Sequence, residues 1–190
     1  MAKRQPADSR ITIVDTSQGL RIVMPCRRSW LVICFLGFWI CGWGVGEIMV
    51  TRQLLNGDAP PGGEVFMMTW LGVWTVGGVF AIYAWLWQMM GKEILTVQGQ
   101  TFTTRRNIGE FGFDKEYDLA QMRDVRMGHL GVNPFDLSSS FQLWGIGGGV
   151  IAFDYEARTY RFGVGLDEAE AKQIVTAIKQ RYRIPESSRM

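Results

Sequence analysis

Histidine is almost absent from this chain, whose 190 residues include a single one, His129. That scarcity excludes most metal sites and most acid–base catalysis that depend on imidazole groups. Cysteine is scarce too, and of the three residues Cys26, Cys34 and Cys41 two lie in an apolar run, which excludes a disulfide framework. The net charge of +2 excludes a strongly basic nucleic-acid-binding protein. We therefore expect no metal, no cofactor and no nucleic-acid partner.

Charge is missing from two long stretches, residues 29–46 and 65–91. At a rise of about 1.5 Å per residue, either stretch covers most or all of a hydrocarbon core about 30 Å thick. Ile48, Met49 and Val50 lengthen the first stretch if Glu47 reaches the interface, so we predict transmembrane helices at residues 29–50 and 65–91. A soluble hydrophobic hairpin is the alternative. A cleaved signal peptide fits poorly because a long polar segment precedes the first stretch.

The positive charges indicate how the two helices are oriented. Six basic residues precede the first stretch, only Arg52 lies between the two, and Lys92, Arg105 and Arg106 follow the second. Cytoplasmic loops carry an excess of Lys and Arg. We therefore predict a multi-pass protein of the bacterial inner membrane, with both termini in the cytoplasm and an external loop at residues 51–64.

Small residues recur at intervals of four in the first predicted helix. Gly37 with Cys41, and Gly42 with Gly46, have the spacing that lets helix backbones approach closely. These four residues are candidates for contact between the two helices or with another membrane protein, although membrane helices are rich in glycine in any case. Glu47 is either a functional site within the membrane or a side chain that reaches water at the outer interface.

The remaining sequence has the pattern of a small β-domain. Short alternating segments predict strands at residues 93–97, 101–105, 113–119 and 122–127, and again around residues 151–155 and 160–164. Asp167 and Glu170 form an acidic capping box that begins an amphipathic helix at residues 167–183. Residues 1–28 predict a β-hairpin that joins the soluble domain at residues 92–190. The membrane hairpin is then an insertion into one β-domain.

This combination resembles the bacterial PH-like-domain membrane proteins, which have two spans and a cytoplasmic β-domain. The resemblance lies in residues 92–113, directly after the second span, and in the segment from Gly147 through Tyr155 to the C-terminal helix. It implies a membrane α-helical hairpin plus an α+β cytoplasmic domain, a PH-like antiparallel sandwich or barrel closed by the C-terminal helix. Some members resemble assembly factors of membrane complexes, including photosynthetic ones, so it also implies an accessory role.

Two further groups of residues are candidate binding sites. The irregular apolar segment at residues 127–144 could lie on the bilayer, dock on a partner or fold back onto its own domain; its candidate residues are Leu130, Phe135, Phe141 and Trp144. Basic residues near the membrane could bind anionic lipid headgroups, at about 1 kcal/mol each; they are Arg27, Arg28, Arg105 and Arg106. The positive-inside rule already accounts for Arg27 and Arg28. The glycines at 145 and 147–149 predict a turn or bulge, because no Lys-Ser/Thr pair or helix follows them.

These observations favour a protein without enzymatic activity. We expect an accessory, structural or assembly subunit of a larger membrane complex, with an energy-converting or photosynthetic complex as one candidate. Its partners are then other integral membrane proteins and membrane lipids. The alternative is a regulatory membrane module that binds anionic lipids.

Overall fold

The computed structural model describes residues 10–58, 60–128, 149–182 and 184. The chain forms two compact units, which we name the helical hairpin (Arg28–Met89) and the β unit (Met1–Arg27 with Met90–Met190). The β unit is thus built from both sides of the hairpin. The predicted docking residues Leu130, Phe135, Phe141 and Trp144 lie outside the described residues.

The helical hairpin contains two helices that are long and apolar enough to span a membrane. They are α1 (Trp30–Leu55) and α2 (Glu64–Met90). Helix α1 continues five residues beyond the predicted end at residue 50 and shortens the predicted loop. It ends where Gly57 adopts a positive φ of 75°. There the amides of Gly57 and Asp58 donate to the carbonyls of Leu54 and Gln53, a Schellman motif that satisfies the last turn of the helix.

The β unit contains two antiparallel sheets. The first has five strands in chain order, β1 (Thr12–Thr16), β2 (Gly19–Pro25), β3 (Gly91–Gln98), β4 (Thr101–Ile108) and β5 (Phe111–Asp118). The second has three strands, β6 (Met122–Met127), β7 (Ile151–Tyr155) and β8 (Arg158–Phe162). Strand β2 precedes the hairpin and pairs with β3, which follows it, from Gly19 opposite Gln98 to Pro25 opposite Lys92.

A single hydrophobic core lies between the two sheets and a C-terminal helix. Phe102 of the first sheet packs against Phe153 and Phe162 of the second, at ring-centroid distances of 5.4 and 5.7 Å. Helix α3 (Glu168–Arg181) covers this core with a stripe of buried side chains, Ala171, Ile174 and Ile178. The predicted capping box at the start of this helix is present. The Asp167 side chain accepts from the amide of Glu170, and the Glu170 side chain accepts from the amide of Asp167.

The α+β layout predicted from the sequence is confirmed, and within the described residues neither sheet closes into a barrel. A 3₁₀ turn, Leu119–Gln121, separates β5 of the first sheet from β6 of the second. Strand β6 is irregular because its register with β7 shifts between Arg123 and Arg126. Asp124 adopts a positive φ of 48° inside this irregularity.

An ion pair holds the irregular strand β6 to its neighbour β7. The Arg126 guanidinium donates to both carboxylate oxygens of Asp154, at 2.7 and 3.0 Å. These hydrogen bonds are the main cause that holds the pKa of Asp154 below its usual value, and Thr159 adds a further one. The paired guanidinium bridges the two strands where their backbone register is broken.

A buried carboxylate connects the first sheet to the end of the second. Glu93 of β3 is 3% exposed. Its Oε2 accepts from the backbone amides of Gly163 and Val164 at 2.8 and 3.1 Å, just after β8. Its Oε1 accepts from Arg106 of β4 at 3.3 Å. All three donors converge on one carboxylate, so its desolvation is offset by hydrogen bonds to both oxygens.

Glu93→Ala should lower the free energy of unfolding of the β unit by about 3 kcal/mol, because two buried amides lose their acceptor and each such loss costs about 1–3 kcal/mol. Denaturant unfolding of the full chain in detergent, followed by circular dichroism, measures this. Glu93→Gln should cost less because its remaining oxygen can still accept from both amides. Replacing the exposed Glu110 with Ala should change the value by less than about 0.5 kcal/mol. Equal effects of the Glu93→Ala and Glu110→Ala changes would contradict this role of the buried carboxylate.

Candidate functional site

The two helices of the hairpin are joined by tryptophan side chains that donate across the interface. The indole of Trp85 on α2 donates to the backbone carbonyl of Ile33 on α1, at 3.0 Å. The indole of Trp43 on α1 donates in the opposite direction to the carbonyl of Trp74, at 3.2 Å. Each indole places its N–H on an acceptor of the other helix, so neither is left unpaired in apolar surroundings.

Both indoles lie against a glycine of the other helix, and Gly78 has to be a glycine for the Trp43 ring to fit. A Cβ atom built on Gly37 would lie 3.4 Å from the Trp85 Nε1. A Cβ atom built on Gly78 would overlap the ring of Trp43. Of the four predicted small contact residues, Gly37 lies against an indole of the hairpin's own second helix.

A third polar contact joins the helices at Glu47. Its Oε1 lies 2.6 Å from the Thr75 hydroxyl, which also lies 2.7 Å from the carbonyl of Leu71. The Glu47 Oε2 is buried and has no hydrogen-bond partner among the described residues. Helix α1 continues for eight residues past Glu47, which is about 12 Å at the usual rise per residue. Glu47 is therefore well inside α1, and its carboxyl contacts Thr75 of α2.

The other predicted small residues lie away from the hairpin interface. Cys41 is exposed, and nothing lies within 4 Å of a Cβ atom built on Gly42 or Gly46. The same open space surrounds Gly44 on α1 and Gly72 and Gly77 on α2. The hairpin thus has an occupied set of glycines, Gly37 and Gly78, and an open set on its outer surface.

The four candidate lipid-binding arginines divide into two pairs. Arg27 and Arg28, just before α1, are exposed. Arg105 contacts Asn107 at 2.8 Å and Asp114 at 3.4 Å, while Arg106 contacts Glu93. The charges of Arg105 and Arg106 are therefore offset by carboxylates of their own sheet.

Sequence reasoning missed the residues that carry the hairpin interface. Trp43, Trp74, Trp85 and Thr75 were not among the predicted contact residues. The sequence does contain a relevant signal. A tryptophan inside an apolar helix pair needs a hydrogen-bond acceptor for its indole N–H and a small residue nearby. The partner of each indole still depends on the helix rotation, which composition does not give.

Gly78→Ala should destabilise the hairpin because the added methyl group overlaps the Trp43 ring and displaces its hydrogen bond to Trp74. We expect a loss of about 1–3 kcal/mol in the free energy of unfolding. Gly77→Ala is the matched control: the same methyl enters open space on the adjacent residue, with an expected effect below about 0.5 kcal/mol. Thermal unfolding of both full-length variants in the same detergent measures the difference. Indistinguishable variants would contradict the assigned interface.

A scan of the chain against protein-family models finds no match, and searches of curated proteins and of solved structures find none either. The proposal of a function therefore rests on the sequence and on the geometry within each unit.

Proposed function

We propose that this protein is a non-enzymatic accessory, structural or assembly subunit of a larger membrane complex. The observation that carries the proposal is the division of the hairpin glycines into two sets. Gly37 and Gly78 are already occupied by the indoles that join α1 to α2. Gly42 and Gly46 keep an open small-residue surface on α1, of the kind that lets another helix approach closely.

We further propose the bacterial inner membrane as its location, with both termini in the cytoplasm. The support is the excess of basic residues before α1 and after α2, against Arg52 alone between the helices. The β unit then lies on the cytoplasmic side. Its two antiparallel sheets and C-terminal helix are compatible with a PH-like domain, which we propose as a second surface for partner contact.

A lipid-binding module with a regulatory role is the second candidate. The exposed side chains of Arg27 and Arg28 favour it, since both precede α1 directly and carry charge that could reach anionic headgroups. The internal ion pairs of Arg105 and Arg106 reduce the number of cations available for such binding. We therefore place the subunit role first.

Affinity purification of the tagged full chain from its native membranes in mild detergent tests the subunit role. We expect a defined set of integral membrane proteins to co-purify and the chain to migrate with them on a native gel. The double variant Gly42→Leu with Gly46→Leu should lose these proteins, because two isobutyl groups fill the open surface. Val45→Leu with Met49→Leu changes two lipid-exposed residues of the same helix without adding bulk at a glycine, and should retain them.

A chain that migrates alone in every mild detergent would contradict the subunit role. The same conclusion follows if the glycine variant retains every partner that the control variant retains.

A further inference from the structure

Two phenylalanines of the β unit are almost fully exposed. Phe111 and Phe113 on β5 are 87% and 85% exposed. Among the described residues of the β unit, no other large hydrophobic side chain is more than half exposed. Positions two apart on a strand share one face, so the two rings form a single apolar patch. An exposed apolar patch of this kind on the surface of a domain indicates contact with an apolar partner.

The pairing of the strands places this patch at a particular end of the first sheet. Phe111 pairs with Ile108, and Ile108 pairs with Gly91. The amide of Cys26 donates to the Gly91 carbonyl at 2.9 Å. Gly91 directly follows the last residue of α2, and α1 begins four residues after Cys26. Both chain connections to the membrane hairpin therefore leave from the sheet end that carries Phe111.

The length of α2 indicates how near that end lies to the lipid. Its 27 residues extend about 40 Å, close to the thickness of a bilayer with its headgroups. Gly91 then lies at the level of the headgroups. Neighbouring strands are about 4.8 Å apart, so the backbone of Phe111, two strands away, lies about 10 Å from Gly91. A phenylalanine side chain at that position can reach the boundary between headgroups and acyl chains.

The charges around the patch favour an apolar contact over an electrostatic one. Arg105 is paired with Asp114 and Arg106 with Glu93, while the exposed Glu110 at the turn adds a negative charge. Anionic headgroups would therefore meet little net positive charge at the β4–β5 turn itself, since the exposed Arg27 and Arg28 lie on the connection to α1. We therefore expect a phosphatidylcholine bilayer to support this contact as well as a bilayer that contains anionic lipid.

We propose that Phe111 and Phe113 insert into the interfacial layer of the bilayer that the hairpin spans. The β4–β5 turn is then a third membrane contact beside α1 and α2, and it fixes the β unit against the lipid surface. The proposal needs the hairpin to be in a membrane. It does not need a partner complex, so failure of the subunit role leaves it untouched.

Site-directed spin labelling of the full chain tests this insertion. In a background of Cys26→Ser, Cys34→Ala and Cys41→Ala, a nitroxide is attached to Phe111→Cys or Phe113→Cys, and to Lys115→Cys as the control on the same strand and face. The protein is reconstituted in vesicles of phosphatidylcholine, with and without phosphatidylglycerol. Collision rates are measured with oxygen, which concentrates in lipid, and with a water-soluble nickel chelate.

We expect the oxygen-to-nickel ratio to be several-fold higher at residues 111 and 113 than at 115, in both lipid compositions. A label at Glu110→Cys gives a second readout. Changing Phe111 and Phe113 together to Ser should lower its ratio to that of a water-exposed site. The unchanged spectrum at residue 115 should show that the β unit remains folded.

Three results would overturn the proposal. Ratios at 111 and 113 equal to that at 115 would place the rings in water. Protection of both labels from oxygen and nickel alike would mean that protein covers them. A high ratio that requires phosphatidylglycerol would make the contact electrostatic.

Discussion

The pairing of β2 with β3 is the constraint on which the rest of the structure depends. Backbone hydrogen bonds join residues on opposite sides of a 62-residue helical unit, from Gly19–Gln98 to Pro25–Lys92. Since the two strands are antiparallel, the chain leaves for α1 and returns from α2 at the same end of the sheet. That ladder makes the hairpin an insertion into the β unit.

Within each unit, polar contacts fix the relative positions of elements that apolar packing alone does not determine. In the β unit, the buried Glu93 carboxylate connects β3 to the backbone after β8. In the hairpin, two indoles and the Glu47–Thr75 contact join α1 to α2. Lipid tails are as apolar as the helix surfaces, so helix association relies on close packing and on contacts of this kind. They fix the rotation of each helix and leave Gly42 and Gly46 facing outward.

Local patterns in the sequence were sufficient for the elements and insufficient for their partners. Uncharged runs located both helices, alternation located the strands, and Asp167 with Glu170 located the start of α3. Helix α1 runs five residues past the end of the predicted span, through Arg52, because Gly57 ends the helix. The functions of Gly37 and Gly78, the ion pairs of Arg105 and Arg106, and the exposure of Phe111 and Phe113 depend on tertiary contacts. No local periodicity encodes them.

Accessibility of single cysteines in intact cells tests the central claim most directly, that one folded unit is built on the cytoplasmic side from both flanks of the hairpin. Arg21 and Thr96 are register partners on β2 and β3, and Asp58 lies between the helices. With the native cysteines replaced, a membrane-impermeant maleimide should label Asp58→Cys in intact cells, and Arg21→Cys and Thr96→Cys only after permeabilisation. Labelling of either strand position in intact cells would contradict the account.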